Sequence, residues 1–145
     1  MTIDFQGDFE VPRSPQEVYA FLSDPERFCP LLPDFQGMER NGDQFKVKLR
    51  MGISHIRGTA SLRMVLVDTE PPRRARYEGV GDVPGGSVKL TTGFELEPAG
   101  GGSKVHWTGQ AQVSGRLPSL AGGLLQPLAK SNVDKMIAGL QGALA

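Results

Sequence analysis

Between Phe45 and Val113, apolar and polar residues alternate in five successive runs, and past Gly115 the alternation gives way to a helical period. The first two runs put Phe45, Val47, Leu49 and Met51 on one face, then Ile56, Gly58, Ala60, Leu62, Met64 and Leu66. The next three place Ala75, Tyr77, Gly79 and Gly81, then Val88, Leu90, Thr92, Phe94 and Leu96, then Val105, Trp107, Gly109, Ala111 and Val113. Period two over such lengths means strands with one buried face. Turn-forming residues separate the runs at 52–55, at Glu70-Pro71-Pro72, at Pro84-Gly85-Gly86 and at 98–102. An earlier run of Ile3, Phe5, Gly7, Phe9 and Val11 has the same period, and a short strand over 36–40 brings the expected total to seven.

Two short helices are expected after the first strand. Ser14 suits an N-cap, Pro15 the first helical position and Glu17 the third, the arrangement of a capping box. Val18, Phe21 and Leu22 supply the apolar face, and Asp24-Pro25 ends this helix and opens another turn through Phe28. In the tail, Leu117, Leu120, Ala121, Leu124, Leu125 and Leu128 continue into Val133, Met136, Ile137, Leu140 and Leu144 at i, i+3, i+4, i+7 spacing. This spacing predicts one amphipathic helix of about seven turns, weakest where the ring of Pro127 opposes the Gly123 carbonyl. A seven-stranded antiparallel sheet has one apolar face to cover, and only this last helix is long enough to cover it. The expected class is α+β: an antiparallel sheet wrapped around a long C-terminal helix, with two short helices after strand one, in a single domain over 1–145.

Composition removes several function classes. Lys+Arg and Asp+Glu both number 16, so the chain lacks the basic excess of a nucleic-acid binder. One cysteine and two histidines supply neither a disulfide framework nor a zinc cluster. The uncharged stretch 117–129 is well short of the ~20 apolar residues of a membrane-spanning helix. A soluble cytoplasmic protein is expected, with at most peripheral contact at the inner membrane face.

Certain residues carry a family resemblance. Gly7 is followed by Val11-Pro12 and by Val18-Tyr19-Ala20-Phe21-Leu22-Ser23-Asp24-Pro25-Glu26. Later come Gly86, Gly93 and Leu96, a glycine-rich turn, Trp107, and Gly115-Arg116-Leu117 where the last helix begins. In this order the chain resembles the START-like helix-grip (SRPBCC, polyketide cyclase) superfamily, and within it most resembles the G-subunit family of carbon monoxide dehydrogenase. The tail from Gly122-Gly123-Leu124-Leu125 to Asn132-Val133 is also similar to the coenzyme Q-binding branch. One departure is Leu32-Pro33-Asp34, where the family usually has glycine after the proline. The resemblance implies a cavity between sheet and long helix that holds a hydrophobic small molecule, with an isoprenoid quinone or lipid as leading ligand. It also implies an accessory role to a molybdenum-containing carbon monoxide dehydrogenase-type enzyme. The alternative is a polyketide cyclase or dehydratase, and a third reading is an assembly factor with a vestigial cavity.

From the resemblance and the strand parity together, the expected sheet lining is Leu49, Met51, Ile56, Leu62 and Met64, with Tyr77, Leu90, Thr92, Phe94 and Trp107. Leu31, Leu32 and Phe35 are expected at the front, and Leu120, Leu124 and Leu128 on the helix. The entrance is expected at 117–126 with the hairpin tips 52–55 and 83–86. Parity assigns no Asp, Glu, His, Lys or Arg to this interior, so a proton carrier for acid–base chemistry is not expected there. His106 should face solvent, His55 should sit at a hairpin tip, and Cys29 should be a small buried residue. No catalytic residue, cofactor or metal site is expected. Pro84-Gly85-Gly86-Ser87 leads into a strand, which makes it a hairpin turn and not a phosphate loop. Lys46, Lys48, Arg50, Arg57 and Arg63 fall on the outer face, as do Asp4, Asp8 and Glu10, which predicts a solvated surface with cross-strand charge balance.

Overall fold

The computed structural model describes residues 1–53 and 55–145. The chain runs β1 (Thr2–Val11), α1 (Pro15–Leu22), α2 (Pro25–Phe28) and a 3-10 turn (Cys29–Leu31). Strands β2 (Phe35–Asn41), β3 (Gln44–Ile53), β4 (Ile56–Glu70), β5 (Arg74–Val83), β6 (Gly86–Ala99) and β7 (Gly102–Gly115) follow, and α3 (Leu117–Ala143) closes the chain. All seven strands form one antiparallel sheet in the order β1-β7-β6-β5-β4-β3-β2. This is the α+β helix-grip architecture. Ser54, within the expected β3–β4 turn, lies outside the described residues.

Local chemistry accounts for the joints. The Ser14 hydroxyl accepts from the Glu17 N–H at 3.2 Å, so it caps α1, while the Glu17 carboxylate pairs with Arg13 at 3.6 Å. Asp24 caps α2 through the Glu26 N–H and also receives Arg40 of β2 at 2.9 Å. Pro84-Gly85 makes the β5–β6 turn, with Gly85 at φ +84°, and its carbonyl accepts from the Arg116 and Leu117 N–H groups. One turn therefore anchors the start of α3. Asp34 stands at φ +59°, and a short polar side chain tolerates that backbone better than most.

The apolar interior has two parts. The larger gathers Phe9, Val11, Val18, Phe21, Cys29, Val47, Phe94 and Val105 with Leu140 of the second half of α3 and Leu144 just past its end. The smaller packs Ile3, Ile53, Ala111 and Val113 against Leu117, Ala121 and Leu125 of the first half. The end expected to form the entrance is thus filled by its own small core. Helix α3 is not uniform, and its break differs from expectation. Ala121, with φ −143° and ψ 19°, leaves helical conformation, while Pro127 stays inside the helix. Gly122 and Gly123 directly follow Ala121, and each weakens helix by about 1 kcal/mol relative to alanine, so the break falls beside the glycines.

Outside, the charges balance between neighbouring strands. Asp8, His106, Glu95, Arg74 and Glu70 stand opposite one another in sequence across β1, β7, β6, β5 and β4. Arg63 lies 3.8 Å from Asp82, and Lys46 pairs in register with Glu39. Asp4, Asp8 and Glu10 lie on the edge strand β1, at the opposite side of the sheet from the basic β3–β4 hairpin.

Candidate functional site

A cavity of about 270 Å³ lies between the sheet and the second half of α3. Its sheet wall includes Phe5 and Phe9 of β1, Phe45, Val47 and Leu49 of β3, and Leu62 and Met64 of β4. Tyr77 of β5, Leu90, Thr92 and Phe94 of β6, and Val105 and Trp107 of β7 complete it. Leu22, Phe28, Leu32 and Pro33 form the front, and Ala129, Asn132, Val133, Met136 and Leu140 form the helix wall. No charged residue is among them.

The sheet wall is shaped by glycine next to aromatic. Phe5 stands opposite Gly109, and Trp107 stands opposite Gly7. The two rings meet diagonally and stack, with centroids 5.0 Å apart and 25° between planes. A Cβ on Gly109 would come within 1.8 Å of the Phe5 ring, so only glycine lets that ring lie flat against β7. Deeper in, Phe28, Phe45 and Tyr77 form a second aromatic group with centroids 5.5 to 6.2 Å apart.

The two hydroxyls on the wall are committed to backbone carbonyls. Tyr77 donates to Leu22 at 2.7 Å and Thr92 donates to Thr108 at 3.0 Å. Burial, reinforced by neighbouring Cys29, raises the Tyr77 phenol well above its ordinary range. Burial and then the Asp24 charge push the Cys29 thiol up to about 12. Neither group is an available proton carrier near neutral pH. His106 lies on the outer face hydrogen-bonded to Asp8, and His55 is exposed at the β3–β4 tip. The described residues hold no group of three or more side chains suited to a metal ion.

The structure brings Leu32, Leu49, Leu62, Met64, Tyr77, Leu90, Thr92, Phe94 and Trp107 around the cavity. It places the other expected lining residues elsewhere. Leu31 and Phe35 are half-buried against the rim of the larger core. Met51 and Ile56 pack on the smaller core, because the sheet extends past the cavity and parity selects a face but not a height along the strand. Leu128 packs there too. Leu120 and Leu124 are 64% and 49% exposed, because Leu117, Ala121 and Leu125 are the residues of that half turned inward. Sequence reasoning missed Phe45 and Val47, which share the parity of Leu49, and Phe5, whose role depends on β1 pairing with β7. On α3 it missed Ala129, Asn132, Val133, Met136 and Leu140. The spacing of Val133, Met136 and Leu140 was visible, but nothing in it distinguishes a cavity wall from solid core.

Among solved structures, a conserved protein from Geobacillus kaustophilus is similar, with 22% identity and a TM-score of 0.85 over 98% of this chain and 95% of that one. A START superfamily protein from Mycobacterium smegmatis is 17% identical, with a TM-score of 0.71 over 97% and 96%. The di-domain ARO/CYC protein StfQ of the steffimycin biosynthetic pathway is 13% identical, with a TM-score of 0.69 over 99% of this chain and 51% of its own. At these identities the likeness carries the fold alone. No curated protein matches the sequence. The family model for the carbon monoxide dehydrogenase G subunit (CoxG) matches residues 7–145. With the gripped helix, the uncharged cavity and that match in place, the chain belongs to the CoxG family, the G-subunit family of carbon monoxide dehydrogenase.

Proposed function

We propose that this protein is a carrier or accessory protein that holds a hydrophobic small molecule in the cavity under α3. The observation that carries the reading is the cavity itself: about 270 Å³ of apolar-walled space with no charged residue on its lining. An apolar wall of this kind favours an apolar occupant, since apolar ligands gain about 25 cal/mol for each Å² of surface withdrawn from water. Isoprenoid quinones and other lipids are the ligand classes that fit both the wall chemistry and the family. Family membership further supports a dehydrogenase as the protein that receives or supplies the ligand.

No described helix is long and apolar enough to cross a membrane. Contact with a lipid surface is therefore proposed as peripheral, through exposed Leu120 and Leu124, with Arg50 and Arg57 of the β3–β4 hairpin attracting anionic headgroups. A cyclase or dehydratase activity has only the fold likeness to aromatase/cyclase proteins behind it, and the wall offers no proton carrier. The deciding experiment is organic extraction of the protein purified from its native host, followed by mass spectrometry. A stoichiometric isoprenoid or acyl lipid is expected. Protein that is empty as isolated and takes up no lipid from vesicles would overturn the carrier reading.

A further inference from the structure

Asn132 is the anomaly of the cavity wall. It lies on the same face of α3 as Ala129, Val133, Met136 and Leu140, a stripe that is otherwise apolar. The polar side chains of Tyr77 and Thr92 are satisfied within the protein. On α3 itself, Ser119, Gln126, Lys130 and Gln141 each donate a hydrogen bond to another residue. Asn132 makes none with any described residue. In the empty protein, water can serve its amide. Asn132 is half-buried, so once an apolar ligand displaces the water on its cavity side, the amide loses those partners and bears part of its desolvation cost, unless the ligand replaces them.

We propose that Asn132 is the polar handle of the cavity, selecting neutral apolar ligands that carry a hydrogen-bonding oxygen over plain hydrocarbons of the same shape. This inference rests on the carrier reading above and adds the chemical class of the ligand. A carboxamide both donates and accepts, so it recognises a ketone, ester or hydroxyl oxygen. A carboxylate is a poor fit, because no cationic side chain lines the cavity to compensate a buried charge. The handle belongs to the helix wall of the cavity, so it fixes which end of the ligand faces α3. It acts as a specificity residue and takes part in no chemical step.

The test uses two probes of nearly equal shape, a naphthol and the methylnaphthalene in which a methyl replaces the hydroxyl. Each is measured by equilibrium dialysis against the full-length protein. Asn132→Leu should shift the ratio of the two affinities about tenfold toward the hydrocarbon, the worth of one hydrogen bond at ~1.4 kcal/mol per decade. Asn132→Ala makes the same comparison should the leucine variant fold poorly, since alanine favours helix and leaves more room. An unchanged ratio in both variants, with both probes bound, would overturn the handle and leave the carrier reading standing. A ratio that shifts with Trp107→Phe and not with the Asn132 variants would also overturn it, by moving the polar contact to the indole N–H on the sheet wall. Failure of the wild-type protein to bind either probe would remove the carrier reading and this inference with it.

Discussion

The two halves of α3 belong to one apolar stripe in the sequence, yet they do opposite work. The first half turns Leu117, Ala121 and Leu125 into a packed core with Ile3, Ile53, Ala111 and Val113, while leaving Leu120 and Leu124 in solvent. The second half turns Ala129, Asn132, Val133, Met136 and Leu140 onto a void. An apolar stripe states that a helix face is covered, but not whether side chains or a ligand do the covering. What separates the halves is what lies opposite. The first half meets the tight β5–β6 turn, whose Gly85 carbonyl holds the Arg116 and Leu117 N–H groups. The second borders the cavity, whose other walls carry Phe94 and Trp107 from the sheet and Leu32 from the front.

The largest expected effect comes from attacking the closed half. Leu117 is 1% exposed, and Leu117→Ala should cost about 3 kcal/mol by chemical denaturation, as for other buried leucines. Ligand affinity of the folded fraction should stay within twofold. The open half should respond in reverse. Ala129→Leu adds three carbons to the cavity wall, so stability should change by less than about 1 kcal/mol while bound lipid falls at least tenfold. A large stability loss in Ala129→Leu, or a binding loss in Leu117→Ala, would erase the distinction between the halves.

That distinction marks how far the sequence can be read. The strands were legible because period two assigns a face without ambiguity, and Leu49, Leu62, Met64, Tyr77, Leu90 and Phe94 all stand on the cavity wall. Position along the strand was not legible. Met51 and Ile56 have the same parity and belong to the other core, because nothing local states where the sheet outruns the cavity. The stack of Phe5 on Trp107 depends on the first strand pairing with the last, a contact between distant segments that no local pattern encodes. Asn132 was hidden for a simpler reason: a search for apolar periodicity passes over the one polar residue in the stripe.

Titration sharpens the comparison from the closed floor of the larger core. Cys29 is fully buried, and burial with the Asp24 charge raises its thiol to about 12, while Tyr77 beside it is raised as well. In the unfolded chain the thiol ionises near pH 8.5 and the phenol near pH 10. Above pH ~8.5 the unfolded state therefore binds fewer protons than the folded one, and stability must fall as pH rises toward 12. Below that window these two groups contribute no slope. Denaturation curves should show the decline beginning near pH 8.5 in the wild type and later, near pH 10, in Cys29→Ala. Identical curves for the two proteins would mean that the thiol ionises equally readily in both states. Cys29 should also resist thiol reagents until the protein unfolds.

The smallest effect on stability belongs to the outward face of the first half. Leu120 and Leu124 already spend much of their surface in water, so replacing both with serine removes little burial and changes helix propensity only modestly. Together the two changes should cost less than about 1 kcal/mol, against the larger loss expected from Leu117 a single turn away. Their effect on lipid contact should be out of proportion to that figure. An interfacial leucine gains up to ~2 kcal/mol on leaving water, so losing two should abolish flotation with anionic vesicles while the thermal midpoint barely moves. Salt should weaken flotation of the wild type, because Arg50 and Arg57 contribute a screened attraction of ~1 kcal/mol each. Flotation that survives the double serine change but fails with Arg50→Gln and Arg57→Gln would assign the contact to charge alone. The first half of α3 would then be only the plug of the smaller core, with no outward role.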